Sequence, residues 1–416
     1  MEKAILVGLQ MQKSVDFAYL MAELKGLCEA CDVEVLETVI QNVDRPTANL
    51  YIGSGKVVEL KQTVITLGAD MVIFDDELSA TQIRNLEKEL DTKVIDRTIL
   101  ILDIFARRAR TREAMLQVEL AQCQYMLPRS VGLNSGFSRQ KSGTGSKGPG
   151  EKQLELDKRI LKDRIFKLRE DLKELVTVRR TQREKRKKEE SFTVAIAGYT
   201  NSGKSSILNK LLEFSVENSK KYVFEKNMLF ATLETATRSI TLKNNHRFLL
   251  TDTVGFISKL PHHLIEAFKS TLEEIREATL ILHIIDASNP EFMKQIGVVE
   301  EVLKSLEVTD VPVIYVFNKM DLRTEPIVTA LSPSIEISAL TGLGCDKLVK
   351  IIDETLHAKL HRYQMLIPFD KGQIYSFLKE NTTIYQTDYQ NDGIHVDVEL
   401  NDYYVGLYRQ YIKSSN

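Results

Sequence analysis

FTVAIAGYTNSGKSS, residues 192 to 206, sets the architecture expected of this chain. Phe192 to Ala197 is a short apolar run of the kind that forms a buried strand. GYTNSGKS follows at once, and Gly198, Gly203, Lys204 and Ser205 satisfy the spacing G-x-x-x-x-G-K-[ST]. A strand, a glycine-rich loop and a helix start aim several backbone N–H groups at one anion. Lys204 can reach the outer phosphates of a nucleotide, and Ser205 can place its hydroxyl on Mg2+. Tyr199, Thr200, Asn201 and Ser202 complete the loop that wraps them. An α/β P-loop domain is therefore predicted.

Downstream residues narrow the ligand. FLLTDTVGF, residues 248 to 256, ends a strand with Asp252, Thr253, Val254 and Gly255. The acid stands where a carboxylate helps hold magnesium from its second shell, and the Gly255 N–H can meet the γ-phosphate. A further apolar strand, Ile314 to Phe317, runs into Asn318, Lys319, Met320 and Asp321. A carboxylate in that position accepts two hydrogen bonds from guanine N1–H and its 2-amino group, a pair that adenine does not offer. Ser338, Ala339 and Leu340 follow another short strand, where a backbone N–H can donate to guanine O6. The motifs thus imply GTP or GDP as ligand. Among candidates for contact with the reacting phosphate, Lys204 and Gly255 stand out. The residue after DTVG is Phe256, which cannot orient water as the glutamine of Ras-type enzymes does. Slow intrinsic hydrolysis is expected, with no general base in the chain's own motifs.

The chain on either side divides by composition. Residues 1–106 alternate short apolar runs with amphipathic stretches, an N-terminal α/β unit with a largely parallel sheet. Within it YIGSGK puts Gly53, Gly55 and Lys56 at a helix start, where an anion could be held. Residues 107–190 read as a long antiparallel helical hairpin. Leu116, Leu120, Cys123 and Leu127 form one stripe; Leu154, Leu161, Ile165, Leu168, Leu172 and Leu175 form the other, broken at Lys158. Its tip, residues 129–150, holds six glycines, five serines and four basic residues, Arg129, Arg139, Lys141 and Lys147, with no acid. Such a tip suits RNA, because cations neutralise phosphates and glycine lets backbone approach bases. Residues 191–360 form the nucleotide domain, and residues 361–416 a small α+β module with strands near 363–369 and 394–400 and helices near 373–380 and 403–412.

Bulk properties agree with a soluble multidomain protein. The 416 residues are 43% hydrophobic and 27% charged, with net charge −2. That near-neutrality is uneven: residues 107–190 hold 23 Lys/Arg against 12 Asp/Glu, so the remainder is acidic. A basic block on an acidic body points to a polyanionic partner. No apolar run approaches the roughly 18–20 residues of a membrane span, and no secretory signal is visible at the N-terminus. Four cysteines do not make a disulfide scaffold, and Cys28 and Cys31 read as helix packing. A monomer in the cytoplasm is expected.

GYTNSGKS, FATLE, DTVGF, NKMD and SAL, in this order, resemble the GTPase domain of translation-factor-related proteins. LQVELAQCQYMLPR and GPGEKQLELDKR, preceding that domain, look like the HflX family of ribosome-binding GTPases, and the resemblance extends over nearly the whole chain. It implies that Phe230, Ala231, Thr232, Leu233 and Glu234 form switch I. Thr232 would then ligate magnesium beside Ser205 and join the catalytic set, although Thr235 and Thr237 are not excluded by spacing. It also implies the large ribosomal subunit, its RNA and proteins, as partner, in splitting or rescue of ribosomes or in their biogenesis. Two other readings stand beside it: a GTP-gated assembly scaffold with little turnover, and an ATP-dependent RNA-remodelling enzyme resting on YIGSGK.

Overall fold

The computed structural model describes residues 1–11, 17–129, 149–188, 192–216, 228–230, 236–261, 264, 268–308, 310–358 and 360–415. The chain opens with β1 (Glu2–Gln10), α1 (Phe17–Ala30), β2 (Val33–Asn42), α2 (Ser54–Leu67), β3 (Met71–Phe74), α3 (Ala80–Leu90), β4 (Lys93–Asp96) and α4 (Arg97–Arg108). The four strands form a parallel sheet in the order β2-β1-β3-β4. Residues 4–9 of β1 are buried on both faces, as a parallel sheet covered by helices on each side requires. Ala4 and Leu6 meet Leu24 and Leu27 of α1 and Ile101 of α4, whereas Ile5 and Val7 meet Leu60 of α2 and Leu86 of α3. Ser79 and Gln82 close a capping box at the start of α3.

The arm consists of α5 (Arg112–Arg129) and α6 (Pro149–Lys188). Leu120, Ile165 and Leu168 form the buried seam between them, flanked by Leu116, Cys123, Leu127 and Leu172. The first expected stripe therefore meets Ile165, Leu168 and Leu172 of the second, whereas Leu161 and Leu175 are not part of this seam. Arg164 and Glu119 add a forked ion pair beside the seam, at 2.6 and 2.7 Å.

The nucleotide domain contains β5 (Phe192–Gly198), α7 (Lys204–Leu212), β6 (Ala236–Thr241), β7 (Arg247–Asp252), α8 (Lys269–Arg276), β8 (Leu280–Asp286), α9 (Phe292–Ser305), β9 (Val313–Asn318), β10 (Ser334–Glu336) and α10 (Cys345–Leu356). Its sheet runs β10-β9-β8-β5-β7-β6, parallel except for β6. The P-loop leaves the C-terminal end of β5, where ligands bind in open α/β sheets.

The C-terminal module comprises β11 (His361–Ile367), α11 (Gly372–Asn381), β12 (Ile384–Gln390), β13 (Gly393–Leu400), α12 (Asp402–Tyr408) and β14 (Ile412–Ser415), with an antiparallel sheet ordered β12-β13-β11-β14. Two details differ from the sequence reading. The last helix stops at Tyr408, and after one 3-10 turn Ile412 enters β14 instead of ending the helix. β12, IYQTDYQ, also joins the sheet; it is largely solvent-facing and so lacks the apolar alternation of a half-buried strand. Among the described residues no helix is long and apolar enough to cross a membrane.

Candidate nucleotide site

A cavity of about 570 Å³ opens at the end of the central strands, lined by Thr200, Asn201, Gly203, Lys204, Ser205, Phe230, Gly255, Asn318, Lys319, Asp321, Ala339 and Leu340, among others. Residues spread over 140 positions of sequence are thus gathered on one pocket. Gly203 precedes α7 with φ +92°, and a Cβ there would lie 2.3 Å from Asn318 Nδ2. Only glycine fits both that backbone and that contact. A Cβ on Gly255 would meet Thr200 Cα at 2.8 Å and Lys204 Nζ at 2.9 Å, so the DTVG turn lies hard against the P-loop.

Lys204 is buried, and its Nζ donates to the Tyr199 carbonyl at 2.7 Å. Burial pulls its pKa down to about 8, with nearby Asp252 opposing the shift. Asp252 is fully buried at the end of β7; burial pushes its carboxyl up, opposed chiefly by the Lys204 charge. Its Oδ2 accepts the Ser205 hydroxyl at 2.7 Å, whereas its Oδ1 has no protein partner.

The base-reading end is braced internally. Asn318 donates from Nδ2 to the Ser202 carbonyl at 3.0 Å and accepts the Ala339 N–H on Oδ1 at 3.0 Å, tying the P-loop to the Ser338–Ala339–Leu340 loop. Lys319 pairs with Asp286 at 2.6 Å. Asp321 Oδ1 accepts the Ser338 hydroxyl at 2.5 Å, which orients the carboxylate on the cavity wall. The Ser338 N–H goes to the Leu343 carbonyl at 2.9 Å. The Ser338 and Ala339 N–H groups are thus both engaged within the protein.

Not every motif residue faces the cavity. Tyr199 is buried, and its hydroxyl bonds to Glu23 and, at 2.6 Å, to Ser258 Oγ, away from any phosphate. Thr253 is committed to the Ile196 carbonyl at 2.6 Å, Val254 packs in the apolar core, and Met320 packs against the cluster of Ile285 and Phe317. These four side chains stood among the nucleotide contacts read from sequence; each is engaged elsewhere in the fold. Thr237, an open choice for magnesium, lies in β6 with its hydroxyl 3.0 Å from that of Thr251. Ala231, Thr232, Leu233, Glu234 and Thr235 lie outside the described residues, as do Arg139, Lys141 and Lys147. Arg129 is not presented to solvent as a tip residue. Its guanidinium lies over the Tyr125 ring at 3.3 Å and donates to Glu77 and to the Leu78 carbonyl at 2.8 and 2.7 Å.

YIGSGK is likewise engaged, since the Gly53 N–H donates to Gln41 at 2.9 Å and Lys56 pairs with Glu59 at 2.7 Å. Cys28 and Cys31 are buried thiols whose pKa values burial pushes up to about 12 and about 11, which suits packing and not redox exchange.

A second set of residues, invisible to motif reading, joins this site to the N-terminal sheet. Arg97 is almost wholly buried and pairs with Glu23 at 2.6 Å and Asp75 at 2.7 Å, while also donating to the Ser258 carbonyl at 3.1 Å. Burial pushes the Glu23 carboxyl up, and the Arg97 charge opposes it. Lys259, with φ +55°, reaches Asp75 and Asp76, both at 2.5 Å. Phe105 packs edge-on against Phe230 and Phe268, and Phe256 lies 1% exposed in the same cluster.

A phosphate loop, a buried acid beneath it and an aspartate-ended base loop on this sheet define a P-loop GTPase, a GTP hydrolase. Four matches run in order along the chain: GTP-binding GTPase N-terminal at residues 18–106, GTP-binding GTPase Middle Region at 108–186, 50S ribosome-binding GTPase at 193–319 and HflX C-terminal domain at 328–406. GTPase HflX of Caldanaerobacter subterraneus is 45% identical over 399 residues, 96% of this chain and 91% of that protein. GTPase HflX of Escherichia coli K12 is 37% identical over 398 residues, 94% of this chain and 92% of that protein. The chain belongs to the HflX family of GTPases. A crystal structure of a GTP-binding protein from Sulfolobus solfataricus in complex with GDP is 23% identical, with TM-score 0.44, covering 86% of this chain and 99% of that one.

Proposed function

We propose that this GTPase works in the cytoplasm on the large (50S) ribosomal subunit, turning over GTP slowly until the subunit completes its site, in splitting, rescue or assembly of ribosomes. Phe256 carries the reading. Its ring is locked in the apolar seam, its N–H donates to the Gly198 carbonyl at 3.1 Å, and its own carbonyl accepts the Thr200 N–H at 2.7 Å. The position that orients water in Ras-type enzymes is therefore turned away from the phosphates, and an outside group has to supply that function. The match of residues 193–319 to a family described as 50S ribosome-binding GTPases supports the subunit as that partner. The basic block of residues 107–190 supports contact with its RNA through Arg139, Lys141 and Lys147.

The residues present fit Mg2+. A buried carboxylate oxygen of Asp252 without a protein partner, beside the Ser205 hydroxyl, suits a hard oxygen-seeking cation. Ser205 and Thr232 would hold the ion with Asp252 behind them, and when bound it neutralises charge on the phosphates. Lys204 and the Gly255 N–H would grip the terminal phosphate, and Asp321 would read guanine. The test is GTP turnover with and without purified large subunits. Stimulation by about 100-fold or more is expected; fast turnover without subunits, or no response to them, overturns the reading.

A further inference from the structure

Away from the nucleotide cavity, ionisable side chains converge where the GTPase sheet meets the C-terminal module. Asp353 lies in the last turn of α10 and His357 caps it, four residues on, so both project from one helix face. His246 comes from the turn between β6 and β7. One potential ligand atom from each of the three lies within 4.8 Å of the others. Asp353 Oδ1 is 2.6 Å from His246 Nδ1 and 2.9 Å from His357 Nδ1. The imidazoles stack, 3.8 Å between centroids and 19° between planes. Glu399 of β13 brings Oε2 to 3.3 Å from His246 Nε2.

Asn244 Nδ2 donates to Asp353 Oδ2 at 2.8 Å while Asp353 Oδ1 faces His246 Nδ1 at 2.6 Å. Asn244 thus braces the carboxylate from outside the cluster, the place an outer-shell group takes at a metal site.

We propose that His246, Asp353 and His357 form a site for one divalent transition-metal ion, with Glu399 as an outer partner on His246 Nε2. Two imidazoles and a carboxylate suit Zn2+. Bonds of about 2.0–2.1 Å in a tetrahedral site set ligand atoms about 3.3 Å apart, so the pairs now at 2.6 and 2.9 Å need part by less than about 1 Å. A cleft of about 400 Å³ lined by His246, His357, Thr383 and Glu399 gives the ion access. His246 and the α10 pair belong to the GTPase sheet and Glu399 to the C-terminal module, whose Thr383 hydroxyl also bonds to the Asn244 carbonyl. The ion would clasp the two together and takes no part in hydrolysis.

The full-length protein, stripped by chelator and then saturated with GDP and Mg2+, is titrated with Zn2+ by calorimetry and with Co2+ by visible absorption. One saturable Zn2+ per chain is expected, with strong d–d bands of four- or five-coordinate Co2+ and a rise in Tm. His246→Gln and His357→Gln should each weaken Zn2+ at least about tenfold, with GDP affinity unchanged. His395→Gln, away from the cluster, should have no effect. Asp353→Asn, nearly isosteric, serves if a histidine change prevents folding. Absence of saturable uptake overturns the proposal. So does uptake unaffected by these changes and abolished by replacing Cys28 and Cys31, or His262 and His263. A Tm that depends on pH through His246 but never on Zn2+ would make the cluster a proton-held ion pair, and the metal site would be wrong.

Discussion

Thr200 and Gly255 line the nucleotide cavity, whereas their immediate neighbours Tyr199 and Phe256 turn into the seam with the N-terminal domain. The same two loops build both regions, on different terms. The cavity is made of backbone amides, one buried lysine and one buried acid, and is arranged to receive charge. The seam is made of apolar rings around an arginine already matched by Glu23 and Asp75. The first is incomplete without a ligand, and the second is complete as it stands. Changes on the cavity side should therefore register in nucleotide selection, and changes on the seam side in stability.

The largest effect should come from the base end of the cavity. Asp321→Asn reverses one donor–acceptor pair with guanine, and the Ser338 hydroxyl that holds the carboxylate can turn to suit the amide. The ratio of GTP to XTP affinity should swing by on the order of 10⁴, because a site that hydrogen-bonds its substrate leaves polar groups unpaired with the wrong one. Competition of both nucleotides against fluorescent GDP measures it. An unchanged ratio would remove Asp321 from base recognition, and with it the contrast between a selective cavity and an inert seam.

On the seam side, Arg97→Met leaves Glu23 buried without its cation and Asp75 with Lys259 alone. A loss of about 3–5 kcal/mol of stability is expected in chemical denaturation, with GDP affinity changed by less than about tenfold. A larger loss of GDP affinity than of stability would mean that the seam shapes the cavity, and the division drawn above would fail.

The cavity was legible because its chemistry is contiguous: GYTNSGKS, DTVG, NKMD and SAL are short strings, each at the C-terminal end of a strand of one sheet. Even there the strings overstated the contacts. Thr253 is held by the Ile196 carbonyl, Val254 packs in the core and Met320 packs from the turn after β9, and Asn318 braces two loops before it meets any ligand. The seam was not legible. Glu23, Asp75, Arg97, Tyr199 and Lys259 come from five separate segments, and each alone reads as an ordinary surface charge or loop tyrosine. Arg129 failed for the same reason, since composition assigned it to a basic tip and only tertiary structure supplies Glu77 and the Leu78 carbonyl. β12 was missed because an exposed strand carries no apolar period.

A smaller effect follows from the Lys204 ammonium, whose pKa burial lowers to about 8. Nucleotide phosphates favour the charged form and raise it again, so binding takes up a proton above that value. GDP affinity should be flat below about pH 8 and fall by up to about tenfold per pH unit above it. Calorimetry in buffers of different ionisation enthalpy would count the proton. Affinity that is constant through this range would mean that the lysine is already charged in the free site, and the cavity would be less deeply desolvated than its burial indicates.

The smallest effect on turnover is expected where sequence comparison would look for the largest. Phe256→Gln restores the side chain that orients water in Ras-type enzymes, yet hydrolysis by the isolated protein should stay within about threefold of the parent. Residue 256 is held at both ends of its peptide by the P-loop, N–H to Gly198 and carbonyl from Thr200, which fixes the direction of its side chain into the seam. A glutamine there would place an amide in the apolar cluster that buries Phe256, and an unsatisfied buried amide costs about 1–3 kcal/mol beyond the lost apolar burial. Tm should fall while kcat does not rise. Since Thr200 also lines the cavity, swinging residue 256 toward the phosphates would break the Thr200 N–H bond and disturb the loop that grips them. A tenfold or greater rise in turnover by Phe256→Gln without ribosomes would show that the peptide can turn over and that the seam is a movable cover. Unchanged turnover with lowered stability would place the missing water-orienting group on the partner.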